Sequence, residues 1–216
     1  SEENKELPDF HSSPIGSSGI ENYGGYFEED YLDALKNNER ADVFDKMRRS
    51  DPQVMMCLSA VKNPIKSATY EIHAAGDDFF YKNDARLIEK VLFESMATPF
   101  SRFLAEALTM VEFGFSMFEV THKNFINQPI YDDEGNKILD SYTGVHNISW
   151  RSPRTIERWN LDSASGDLVS VDQLAFGELG RQVTIPSKYL LLFTLNREGS
   201  NYEGISALRP CYGNWF

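Results

Sequence analysis

Residues 100–121 read FSRFLAEALTMVEFGFSMFEVT, and the hydrophobic pattern changes inside them. Phe100, Phe103, Leu104, Ala107, Leu108 and Val111 recur at helical spacing, which predicts a helix near 99–112. Gly114 stands where a helix ends in the left-handed conformation that glycine adopts without steric cost. Phe115 to Thr121 then reads as a strand. The chain divides at this glycine, with helices before it and strands after it.

Upstream, Ala85, Ile88 and Leu92 mark one face of a helix near 83–96. Ala68, Tyr70, Ile72 and Ala74 alternate with Thr69, Glu71 and His73, which predicts a half-buried strand. Asp51-Pro52 opens a helix, because Asp51 can cap and Pro52 fits the first helical position, where a missing N–H costs nothing. Val54, Leu58, Val61 and Ile65 form its apolar face, and Asn63-Pro64 bends or ends it. A helix over 41–49 turns Val43, Phe44 and Met47 inward, and a short acidic helix over 26–40 carries Tyr31, Leu32 and Leu35 as its apolar face. Residues 1–25, rich in Ser, Gly, Pro and acids, read as a flexible acidic arm.

Downstream, 129–139 reads as a hairpin turning at Asp133–Asn136, and 146–150, 155–161, 167–173, 182–185 and 188–194 read as strands. The last of these is apolar on both faces and is expected to be central in its sheet. Residues 205–216 turn helical again. The fold class is α+β, N-terminal helices followed by a mainly antiparallel strand region, with 26–204 as one domain.

Composition bounds the function. The 216 residues carry a net charge of -12, with 15 Phe, 10 Tyr and 3 Trp for a core. Residues 1–40 hold ten acids and three bases, so more than half of the net charge lies in under a fifth of the chain. Such a body repels a phosphate backbone, and weak or no binding of duplex DNA is expected. Cys57 and Cys211 lack metal or redox spacing and are expected to be reduced core thiols. The longest apolar stretch, Tyr189 to Leu195, is far short of the roughly 20 residues of a membrane span. No signal peptide is visible, and the cysteine usage suits a reducing cytoplasm.

No catalytic residue, metal site or cofactor is expected. His11, His73, His122 and His146 have no neighbours at metal-ligand spacing. Asp132, Glu134 and Asn136 match the start of a calcium loop, but Lys137 and Thr143 occupy positions where that loop needs Gly and Glu, so a hairpin turn fits better. A rival enzyme reading, a hydrolase or transferase, would draw on Ser116, His122 and Asp132 and requires that they converge in one cleft. Arg151, Arg154 and Arg158, beside Trp150 and Trp159, are candidates for contact with phosphate or a neighbouring subunit. Pairing with this chain's plentiful acids is the plainer reading.

Four stretches in order carry a resemblance. They are Phe44–Val54 with Lys62-Asn63-Pro64-Ile65 and Tyr70-Glu71-Ile72; Phe103-Leu104 through Gly114-Phe115-Ser116 to Glu119-Val120; Trp150–Ile156 with Trp159 and Leu161; and Asn196–Pro210 with Tyr212 and Trp215. Together they cover about 44–216 and resemble the portal proteins of Mu-like tailed bacteriophages. The resemblance implies the outer wing of a ring subunit, in a ring usually of twelve copies at one capsid vertex of the virion. Capsid, terminase and tail or adaptor proteins would be its partners, with viral double-stranded DNA passing through the channel. A non-portal head or adaptor protein is the other structural alternative. The resemblance also makes Gly204, Ser206, Leu208, Arg209 and Pro210 the junction between wing and stem, with 205–216 as the start of a truncated stem helix. Gly213 falls inside that helix, where a helix former would be expected. With the stem contacts missing, the isolated chain is expected to be a monomer or a weak, mixed oligomer.

Overall fold

The computed structural model describes residues 16–215, apart from 21, 28, 38, 133 and 176–179. Most of the expected acidic arm, residues 1–15 and Glu21, lies outside the described residues. The helical half contains α1 (Glu39–Ser50), α2 (Pro52–Lys66), α3 (Phe79–Glu89), α4 (Phe100–Ala107) and α5 (Met110–Phe113). The strand half contains β3 (Phe115–Phe125), β4 (Ile130–Tyr131), β5 (Lys137–Leu139), β6 (Tyr142–Arg151), β7 (Ile156–Leu161), β8 (Leu168–Ala175), β9 (Arg181–Pro186) and β10 (Leu190–Thr194). A two-residue ribbon, β1 (Asn22–Tyr23) with β2 (Tyr26–Phe27), precedes the helices, and α6 (Tyr212–Trp215) follows the strands. All described strand pairs are antiparallel, in the orders β10-β3-β6 and β7-β8-β9 for the two larger sheets. The fold is α+β, and it divides at Gly114.

Local chemistry explains the main boundaries. Asp51 caps α2 by accepting from the backbone N–H groups of Gln53 and Val54 at 2.8 and 3.3 Å. The helix continues through Pro64 for two more residues and ends at Ser67, whose hydroxyl donates to the Asn63 carbonyl at 2.9 Å. The predicted helix over 99–112 is divided at Leu108-Thr109. There the Glu106 carbonyl accepts from the Thr109 hydroxyl at 2.7 Å and the Ser116 hydroxyl at 2.8 Å, local bonds that compete with the helical ladder. Gly114 closes α5 at φ 90°, its N–H donating to the Met110 carbonyl.

β3 is the strand buried on both faces. Phe115 and Met117 face a core with Ile156, Trp159, Val171 and Tyr202, which joins the two larger sheets. Phe118 faces the opposite way, onto Ala107, Ile148, Phe103 and Phe193. A third core packs α1 and α5 on Leu58 and Leu208.

Several expectations are corrected. β10 is apolar on both faces, yet among the described strands it pairs only with β3 and is an edge strand. Apolar alternation reports which faces are covered, not which ladder edges are paired. Residues 68–74 form no strand, for alternation without a neighbouring strand leaves the backbone unpaired. The acidic helix over 26–40 shrinks to a 3-10 turn at Asp33–Leu35, with Leu35 buried and Tyr31 exposed over the Arg209 guanidinium. On α3 and the π-helical turn after it, Leu87 and Val91 turn inward against Phe125 and Tyr142, while Ile88 is exposed. Val61 and Ile65 of α2 are exposed as well. Both cysteines are free but exposed, so they are not core thiols.

These placements set a contrast in stability. Phe118→Ala should cost about 3–5 kcal/mol in urea unfolding, and Ile88→Ala less than about 0.5 kcal/mol, because only the former opens a cavity. Equal losses would mean that the inward face of α3 is misassigned.

Candidate functional site: the junction after β10

The segment 195–211 crosses the end of α5, and the crossing is made of backbone. Leu195 N–H donates to the Gly114 carbonyl at 2.7 Å, Ile205 N–H to the Leu195 carbonyl at 2.9 Å, and Ala207 N–H to the Val111 carbonyl at 3.0 Å. Ser206 donates its hydroxyl to the Glu112 carbonyl and accepts from Leu208 N–H at 2.9 Å. Carbonyls left open at the end of a helix are thereby satisfied by the departing chain. The approach leaves no room for side chains. A Cβ on Gly204, at φ 58°, would stand 2.2 Å from the Leu195 carbonyl oxygen, and one on Gly114 would stand 2.5 Å from that of Glu203.

The junction residues singled out in the sequence take distinct places. Gly204 makes the close crossing, Ser206 ties the chain to α5, and Leu208 is buried in the core of α1 and α5. Arg209 and Pro210 open a 3-10 turn that runs into α6. Arg209 grips Asp30 in a bidentate pair, with its Nη2 at 3.0 Å from Oδ1, and its guanidinium lies 5.0 Å from the Tyr31 ring centre. The Asp30 hydrogen bond raises the Arg209 pKa above its usual value.

Beneath the junction lies a buried charge network that local sequence patterns do not reveal. Glu203 is 6% exposed, its carboxylate is paired with Arg40, and its Oε1 accepts from Trp159 Nε1 at 2.7 Å. Burial pushes the Arg40 pKa down to about 10, opposed by the charge of Asp30. Arg40 and Glu203 are far apart in sequence, and neither belongs to a spacing motif. A charged residue inside the otherwise apolar and small run Tyr202–Leu208 was the available signal.

The other candidates do not assemble with this site or with each other. Arg151 pairs with Glu119 and Arg154 with Asp42, while Arg158 is exposed and packs its stem over Gly25. Ser116 is fully buried, and its hydroxyl is occupied by the Glu106 carbonyl and by Trp150 Nε1. His122 lies six residues further along β3, a rise of about 20 Å. Asp132 sits in the β4–β5 turn, accepting from the N–H groups of Glu134 and Asn136 at 3.0 and 2.7 Å. Bonds from Asn136 hold its carboxyl below the usual range. Ser116, His122 and Asp132 therefore scatter. No cluster of three or more metal-ligating side chains occurs among the described residues.

The family model for the portal protein of Mu bacteriophage matches residues 41–216, from the first turn of α1 through the junction. The chain belongs to that family. No curated protein matches the chain. The portal family is structural rather than catalytic, in keeping with a site built from packing, backbone bonds and ion pairs. No helix among the described residues is long and apolar enough to cross a membrane.

Two predictions test the junction. Gly204→Ala should destabilise the chain by about 2–5 kcal/mol, combining left-handed strain with overlap. Gly213→Ala, with open space around its Cβ, should be neutral or slightly stabilising in the same urea titration. Removing one member of the buried pair, by Arg40→Met or Glu203→Gln, should cost about 3–5 kcal/mol. The double variant should cost clearly less than the two losses together, and strict additivity would mean that the two groups do not interact.

Proposed function

We propose that the chain is part of a portal subunit that forms a ring, of twelve copies in the complete protein, at one vertex of a phage capsid. The ring is the conduit for DNA packaging and ejection and the platform for terminase and for tail or adaptor proteins. Residues 26–204 act as the outer wing, and 205–216 begin the stem. The observation that carries this reading is the family match over most of the chain, which includes the whole junction.

The molecular surface supports assembly. Met55, Met56, Val61 and Ile65 on α2 and Phe79, Phe80, Tyr81 and Ile88 on α3 are exposed, apolar side chains of the kind that association covers. Arg151 and Arg154 are already held by carboxylates of the same chain, which supports that intramolecular pairing over contact with phosphate. The net charge of -12 suits a wall past which DNA slides without being gripped. The enzyme alternative is disfavoured by the separation of Ser116, His122 and Asp132.

The test is location. Gold-labelled antibody against residues 41–216 should mark a single vertex of intact procapsids, and electron microscopy of the complete protein should show rings with a central channel. Label spread over the capsid faces, or particles without a ring, would replace the portal reading with that of another head or adaptor protein.

A further inference from the structure

One surface pocket has a charge opposite to that of the molecule. It lies between the end of α1 and the outer side of α2, has a volume of about 300 Å³, and is lined by Arg48, Arg49, Lys62 and Lys66 with Ser59 and Glu112. Four cations there face two carboxylates. Asp45 is shared by Arg48 and Arg49, and Glu112 takes Lys62 at 2.5 Å and Arg48 at 3.7 Å. The pocket keeps a positive surplus in a chain whose net charge is -12.

The floor adds a second requirement. Glu112 is 2% exposed, and its Oε2 has no hydrogen-bond partner among the described residues. A buried carboxylate oxygen seeks an N–H or O–H donor, and leaving it without one is costly. The matching ligand carries carboxylates for the rim and a donor for the floor. A phosphate diester offers acceptors only and would face the Glu112 charge. A peptide offers both, backbone N–H groups and acidic side chains.

We propose that this pocket is a docking site for an acidic peptide segment, and that its occupant is the N-terminal stretch of the same chain, residues 1–9. That stretch reads SEENKELPD, with Glu2, Glu3, Glu6 and Asp9 against Lys5 alone. Residues 10–15 join this stretch to Gly16, which is exposed at the edge of a surface pocket. Extended, residues 10–15 carry Asp9 roughly 20–25 Å from Gly16, and Ser1 lies up to about 50 Å away. Tethering to the body gives the segment an effective concentration on the order of millimolar. Docking would bring an acidic stretch of the molecule onto its basic pocket, independently of whether the chain forms a portal ring.

The experiment uses the full chain and a fluorescein-labelled peptide of residues 1–9. In the receptor, Glu2→Gln, Glu3→Gln and Glu6→Gln weaken the chain's own segment. At about 50 mM salt the peptide should bind this receptor, and about 300 mM salt should weaken it by screening. Lys66→Gln, or Ser59→Glu, which leaves every ion pair of the pocket in place, should each weaken binding about two- to fivefold. The unaltered chain should bind the peptide at least about tenfold more weakly than the receptor does, even when very dilute. No binding, or binding indifferent to both pocket substitutions, overturns the proposal. Full binding to the dilute unaltered chain shows that its own segment is not the occupant. A short DNA duplex that displaces the peptide from the pocket at equal concentration would assign the pocket to phosphate.

Discussion

The architecture depends on a place where two backbones meet without side chains. Gly114 and Gly204 lie so close that a Cβ on either would overlap the other segment's main chain. Both have positive φ, the region that glycine enters without penalty. At the first, α5 ends and β3 sets off. At the second, the chain leaves β10 and turns under α5. The bonds from Leu195, Ile205 and Ala207 to the Gly114, Leu195 and Val111 carbonyls fix the angle between the helical half and the sheets. Phe113 and Phe115, on either side of Gly114, enter different cores, one built on α1 and one between the sheets. A displacement at the crossing would therefore be felt in both.

The buried ion pair acts on the same point from the other side. Arg40 at the start of α1, Glu203 in the junction and Trp159 in β7 belong to three separate elements, and one carboxylate holds them. Such a pair contributes little net stability, since desolvation offsets most of its attraction. Its effect is on uniqueness: any alternative packing of α1 that removes Arg40 leaves a charge buried alone. Arg209 repeats the device at the rim, where Asp30 fixes the chain that enters α1. The first and last thirds of the described chain are thus held in register by charge, over a crossing that is held by backbone bonds.

The halves of the fold were legible because each rests on a local rule. Asp51 with Pro52, the glycine at 114, the β4–β5 turn and the alternation of β7 and β8 all act within a few residues. The junction residues Gly204, Ser206 and Leu208 were singled out through the family resemblance instead. What escaped has non-local causes. β10 reads as central because both faces are apolar, but its free edge is decided by the chain path. The alternation of 68–74 is a true period with no strand beside it. Arg40 and Glu203 lie 163 residues apart and carry no mark of their partnership before the chain is folded.

The misread faces lie on α2 and α3. On α2 the stripe Val54, Leu58, Val61 and Ile65 has its first half packed in the core and its second half exposed. On α3 the stripe containing Ile88 is exposed while the neighbouring one is buried, and Phe79 and Phe80 stand out at the helix start. Helical periodicity identifies an apolar face but does not say whether its cover comes from the same chain. Sequence arguments assume that it does, and they fail on the two helices whose apolar residues outnumber the positions their own core offers. An apolar face that is regular in the sequence and half-covered in the fold is what a surface completed by association requires. The errors on α2 and α3 are therefore informative: they favour an assembling subunit over a solitary domain without using the family match.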